Sequence, residues 1–249
     1  MHRRAPLLLA LLLTLLIALL GAAWANGRPR AYTPSGPGDL YLALGDSLAW
    51  GFSLDDRAAQ AYPALIHASL AGAGPIELVN LAVPGATSGS LLAGQLPRAV
   101  ELIRAARAEG RDVSPITLTI GGNDLRNVER AGPAERAAAV EAARRNIARG
   151  LDQLRAAAGG DADIAVMTYY NPYGGDARVE GSDAYWVERL NDAIRAEASR
   201  RGMAVADVYP AFAGGRFYTH TFILFGDVHA NAQGHTLIAE VFLEALAYP

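Results

Sequence analysis

The chain has 249 residues, 51% of them hydrophobic and 19% charged, which is enough for one well-buried core and short for two. Its net charge of −3 comes from interspersed acids and bases, excluding the basic groove of a nucleic-acid-binding protein and the charge runs of a disordered one. All 22 basic residues are arginine and cysteine is absent. Together these absences exclude a GxxxxGK[ST] phosphate loop, a Ser-Lys dyad, a pyridoxal Schiff base, a thiol nucleophile and a disulfide framework.

The amino terminus reads as a signal peptide over residues 1–25. His2-Arg3-Arg4 is its positive region, Leu7 to Leu20 its apolar region, and Ala23-Trp24-Ala25 its small-x-small cleavage site. A secreted or periplasmic protein with no membrane span after cleavage is expected; an uncleaved signal anchor is the alternative, since the apolar stretch approaches spanning length. A Pro- and Gly-rich flexible linker follows over 26–38, and a single domain is expected over 39–249.

Within that domain, strand-like apolar runs alternate with segments of helical period. Leu40–Leu44 precedes a helix around Tyr62–Ala71, and Ile76–Leu81 precedes one over Pro97–Glu109. Pro115–Ile120 ends in Gly121-Gly122, and the long helix after it starts near Pro133 with Val140, Ile147, Leu151 and Leu154 on one face. Ile164–Tyr169 leads to a helix near Asp183–Arg201, Met203–Val208 is the fifth strand, and Asn231 is placed to cap a last helix over Ala232–Leu246. Five strands alternating with helices predict an α/β fold, a three-layer α/β/α sandwich around a doubly wound, mostly parallel sheet.

In such a sheet the strand ends deliver their following loops to one edge, where ligands bind. Those loops read Gly45-Asp46-Ser47-Leu48, then Asn80 to Thr87 with Pro84-Gly85 inside it, then Gly121-Gly122-Asn123-Asp124. Tyr170 to Gly175 and Gly226-Asp227-Val228-His229 complete the edge. A serine just past a buried strand and a histidine far downstream supply a nucleophile and its base, the pair acyl transfer needs together with donors for an oxyanion.

From about Leu40 to the end, these blocks and their order resemble the GDSL, or SGNH, serine hydrolase superfamily. The resemblance implies a flavodoxin-like fold and hydrolysis of carboxylic esters through an acyl-enzyme, without metal or other cofactor. By position it makes Ser47 the nucleophile and His229 the base. The backbone N–H groups of Ser47 and Gly85 and the side-chain amide of Asn123 become the oxyanion hole. Two positions depart from the family pattern, which carries an aspartate three residues before the histidine and a proline after it; here they are Gly226 and Ala230. Asp227, two before the histidine, projects to the same side in an extended backbone and is one candidate partner for the ring; a backbone carbonyl is the other.

Asp46 and Asp124 read as loop-fixing carboxylates, His235 as a packing or capping residue, and His67 as a surface or satisfied core residue. Trp50, Tyr170, Tyr173 and Phe225 are expected to line the substrate pocket. The expected partner is a small ester or lipid-like molecule, with a short to medium acyl chain or a lysophospholipid-like structure, and the expected state is a monomer. Carbohydrate O-deacetylation, or acyl transfer to another alcohol, would use the same chemistry. A non-catalytic binding module would be expected to lack Ser47, Asn123 or His229, all of which are present.

Overall fold

The computed structural model describes residues 29–249, so the leader and the first linker residues lie outside the described residues. Five parallel strands form one sheet in the order β2-β1-β3-β4-β5. They are β1 Leu40–Gly45, β2 Glu77–Asn80, β3 Val113–Thr119, β4 Ile164–Met167 and β5 Ala204–Ala206. The helices that frame it are α1 Ser47–Trp50, α2 Tyr62–Ala71, α3 Ser88–Ala93, α4 Gln95–Ala108, α5 Gly122–Arg126, α6 Pro133–Ala158, α7 Asp183–Arg200 and α8 Ala232–Leu246.

The alternation along β1 shows why the sheet is covered on both faces. Leu40, Leu42 and Leu44 enter a cluster with Leu96, Ile103, Ile147 and Ile194 from α4, α6 and α7. Tyr41 and Ala43 point the other way, into a cluster with Tyr62, Ile66, Ile238 and Phe242 from α2 and α8. Each face of a fully buried parallel strand needs its own apolar layer, and the two helix layers provide them. The chain leaves β1 toward β2 on one side and returns to β3 on the other, which opens a crevice at the carboxyl ends of β1 and β3.

The strand boundaries differ from the sequence reading for identifiable reasons. β3 begins at Val113 and holds Pro115 inside it. The β1–β3 register steps from Leu40↔Val113 to Leu42↔Ile116, an irregularity that accommodates a residue with no N–H for the ladder. β4 stops at Met167 because Asn191 on α7 takes over the backbone of Tyr169: its Oδ1 accepts that N–H at 2.8 Å and its amide donates to that carbonyl at 2.8 Å. α4 starts two residues before Pro97, which therefore falls in the first turn, where a missing N–H costs no helical bond. β5 is cut to Ala204–Ala206 because the backbone turns into a short helix at Val208.

The lead-in expected to be flexible is laid on the body over its described part. The N–H groups of Ser35 and Gly36 donate to the Asp163 carboxylate at 3.0 and 2.9 Å, and the Tyr248 hydroxyl joins them at 2.8 Å. A carboxylate 2% exposed needs such partners, and both ends of the described chain supply them.

Two contacts generate predictions. Gly45 ends β1 at φ +142°, and a Cβ there would stand 2.3 Å from the Thr119 carbonyl oxygen on the neighbouring strand. Gly45→Ala is expected to cost at least about 2 kcal/mol, lowering Tm by roughly 4 to 8 °C in a thermal melt. His235 on α8 is fully buried and its Nδ1 accepts the Tyr62 N–H at 3.1 Å, tying α8 to α2. Burial, and then the nearby charge of His229, depress its pKa to about 4. Between pH 6.5 and 4 the unfolded chain therefore binds a proton that the folded chain refuses, and this contribution to stability is lost as pH falls, by on the order of 3 kcal/mol. His235→Gln removes that titration. The gap in unfolding free energy between parent and variant, measured in urea at pH 7 and pH 4, is expected to shrink accordingly; a constant gap would show that His235 does not titrate this way.

Candidate active site

Ser47 opens α1 directly after β1. Asp46 caps that helix, its side chain accepting the Leu48 N–H at 3.0 Å, while its own N–H donates to the Thr119 carbonyl at 3.0 Å. The backbone of Gly45 is held on both sides by the Gln95 amide, at 2.9 and 2.8 Å. The position of Ser47 thus hangs from the two central strands and α4.

His229 arrives on a loop closed by the antiparallel bridge Thr221↔Ala230 and by the Phe222 N–H donating to the His229 carbonyl at 2.9 Å. The Tyr170 hydroxyl donates to the Val228 carbonyl at 2.7 Å and fixes the loop from below. The imidazole Nε2 lies 2.8 Å from Ser47 Oγ, and Nδ1 lies 2.5 Å from Asp227 Oδ1. Of the two partners open in the sequence, the ring meets the carboxylate. The same Oδ1 accepts the His229 N–H at 3.0 Å, which is how an aspartate two residues back reaches the ring. Loss of solvent pushes the Asp227 pKa up, but hydrogen bonds from the Ser53 hydroxyl, the His229 backbone and the His229 ring outweigh it and hold the carboxyl below its usual range.

The loop after β2 docks on the same edge, with the Val83 N–H donating to the Gly45 carbonyl at 3.0 Å. Gly85 sits in it at φ +78°, a left-handed conformation that costs glycine nothing. Asn123, on α5 after β3, donates one amide hydrogen to the Ala86 carbonyl at 3.0 Å, leaving the second free. Among the described residues, the N–H groups of Ser47 and Gly85 make no hydrogen bond. Three polar donors without full partners therefore stand at the sheet edge that carries Ser47.

Asp46 is buried, and burial pushes its pKa up to about 6 against hydrogen bonds from the Tyr169 hydroxyl, the Leu48 N–H and Thr119. Asp124 accepts both the N–H and the hydroxyl of Ser88, at 2.7 and 2.6 Å, pinning the start of α3 to α5. His67 Nε2 meets the Ile76 carbonyl at 2.8 Å. These three side chains do the structural work expected of them.

A cavity of about 90 Å³ opens beside Ser47 and His229, walled by Leu125, Tyr169, Pro172, Tyr173, Val187 and Leu190. Tyr170 and Tyr173 line it. Trp50 and Phe225 do not, which corrects the sequence reading. Trp50 is the last residue of the α1 turn and packs beside the α2 layer, with the Arg57 guanidinium 3.9 Å over its ring. Phe225 lies on a single outward 3-10 turn, Ile223–Phe225, and is 86% exposed. Leu125, Arg126, Val187 and Leu190 were not read from the sequence as pocket residues. Val187 and Leu190 share the inward face of α7, a pattern that signals burial without saying that a cavity lies beside it.

Among the described residues, no group of three or more His, Asp or Glu side chains is placed to hold a metal, and no helix is long and apolar enough to cross a membrane. The GDSL-like Lipase/Acylhydrolase family profile matches residues 43–237. A lipase of Streptomyces rimosus is 32% identical over 262 residues, covering 95% of this chain and 85% of the relative. In structure, a lipase from a goat rumen metagenome superposes with a TM-score of 0.67 at 22% identity, over 84% of this chain and 97% of that one. An acetylxylan esterase from Geobacillus stearothermophilus also gives a TM-score of 0.67, at 16% identity over 87% and 98% of the two chains. The matched span contains the carboxyl half of β1, the other four strands and every block at the sheet edge. The chain therefore belongs to the GDSL-like lipase/acylhydrolase family and is a hydrolase of ester bonds.

Proposed function

We propose that the protein is an exported serine esterase that cleaves carboxylic esters of short acyl chains through an acyl-enzyme at Ser47. The observation that carries this reading is the continuous contact from Ser47 Oγ to His229 Nε2 at 2.8 Å and from His229 Nδ1 to Asp227 at 2.5 Å. His229 takes the Ser47 proton as Oγ attacks the ester carbonyl, and Asp227 stabilises the imidazolium that forms. The oxyanion is received by the N–H groups of Ser47 and Gly85 and by the free amide hydrogen of Asn123. Collapse expels the alcohol, which leaves with the proton from His229. Water, deprotonated by the same ring, then attacks the acyl-enzyme and releases the carboxylic acid and Ser47.

The cavity volume of about 90 Å³ supports the short end of the chain-length range. A benzene-sized ligand of six heavy atoms occupies a cavity of about 150 Å³, so this one suits roughly three or four atoms, an acetyl to propionyl group. The same size favours a second reading, release of acetyl groups from a carbohydrate, in which the sugar would remain outside the cavity. Export is supported by the signal-peptide-like pattern of residues 1–25.

Hydrolysis of p-nitrophenyl esters from acetate to decanoate, run beside acetylated xylan, tests the substrate class. kcat/KM is expected to peak at or below butyrate; a maximum at octanoate or above would overturn the short-chain assignment. Ser47→Ala should remove hydrolysis while leaving the melting curve in place. Asn123→Ala is expected to lower kcat roughly a hundred- to thousandfold with little change in KM, because its amide serves an oxyanion that exists only transiently. Asp227→Asn should cut kcat by at least about a hundredfold at neutral pH.

A further inference from the structure

The residues after the nucleophile return to the other end of the catalytic chain. The Phe52 N–H donates to the Ser47 carbonyl at 2.9 Å, which folds the segment Gly51–Leu54 back beside its own starting point. From there the Phe52 ring lies 4.8 Å from the His229 ring, and the Ser53 hydroxyl donates to Asp227 Oδ2 at 2.5 Å. Ser53 holds a positive φ of 67°, a conformation shared by one other non-glycine residue among those described. A serine kept in a backbone state that disfavours any Cβ is one whose side-chain direction is fixed by its surroundings.

We infer that Ser53 is a positioning residue for the reaction: its hydroxyl holds the free oxygen of Asp227 so that the other oxygen stays on His229. This rests on the reading of Asp227 as the partner of the base. The contacts then form a closed circuit from Ser47 Oγ through His229, Asp227, Ser53 and Phe52 back to the Ser47 carbonyl. The circuit answers a difficulty particular to this chain. Asp227 stands two residues before the histidine, next to Gly226, and its side chain is one-third exposed. Its Oδ1 is tied to His229 at backbone and ring, but Oδ2 has no other protein partner among the described residues. Water can replace the electrostatics of the Ser53 hydroxyl at such a site; it cannot replace the restraint on carboxylate rotation. The effect of losing it is therefore moderate and falls on turnover, not on binding.

Ser53→Ala and Ser53→Gly separate the hydroxyl from the backbone. Both delete the hydroxyl, but only glycine relaxes the positive φ, so Ser53→Gly should melt at or above the parent temperature. With p-nitrophenyl acetate and the full chain, both are expected to lower kcat about five- to tenfold with KM within twofold. In an Asp227→Asn background, Ser53→Ala should cost nothing further. If both single variants keep kcat within twofold while Asp227→Asn loses a hundredfold, the Ser53 inference falls and the triad stands. If Ser53→Gly restores the kcat that Ser53→Ala loses, the backbone and not the hydroxyl matters, and the inference falls as well. Full activity in Asp227→Asn overturns the triad reading and this inference together.

Discussion

Where β1 and β3 end side by side, the backbone of Gly45 approaches Thr119 so closely that the space holds no Cβ. Everything at the sheet edge is hung from that approach. The Asp46 N–H reaches across to the Thr119 carbonyl, the Gln95 amide brackets Gly45 from α4, and the loop carrying Gly85 docks on the Gly45 carbonyl through Val83. Separating the two strands by one methyl group would move Ser47, the Gly85 loop and Asn123 relative to one another. Hydrogen-bonding geometry of that kind tolerates only a few tenths of an ångström before donors miss the oxygen they serve.

The site combines two carboxylates in opposite environments. Asp46, buried beside Ser47, has its pKa pushed up to about 6 by burial and accepts the hydroxyl of Tyr169, a residue that lines the cavity. Asp227, nearer solvent, is held as a carboxylate by the hydrogen bonds it accepts. Burial and hydrogen bonding thus move the two carboxyl groups in opposite directions from the usual carboxylate range.

How much of this the sequence displays depends on how local each feature is. Ser47, Asn123 and His229 stand in short blocks at strand ends, and the buried strands announce themselves as apolar runs. The last helix is legible to the residue because Asn231 caps it through the Gly234 N–H. Features created by distant packing are not legible. The end of β4 is decided by Asn191, on a helix that follows it, and the cavity wall by Val187 and Leu190, which look like ordinary core from their spacing. Trp50 and Phe225 misled for the converse reason: proximity in sequence to Ser47 and His229 does not fix direction in space. Ser53 carries no signal at all, since nothing in six residues of spacing shows that the chain turns back on itself.

The clamp at Asp163 has a topological consequence. It gathers Ser35, Gly36 and Tyr248 just ahead of β4, at the amino ends of the strands, whereas Ser47, Asn123 and His229 crowd the carboxyl ends. Both ends of the described chain therefore emerge on the pole opposite the catalytic mouth. A surface linkage attached beside Tyr248 would therefore leave the Ser47 edge facing the medium. For immobilisation on a support, this polarity makes end-on attachment compatible with open access for substrate, with no need to redesign any loop.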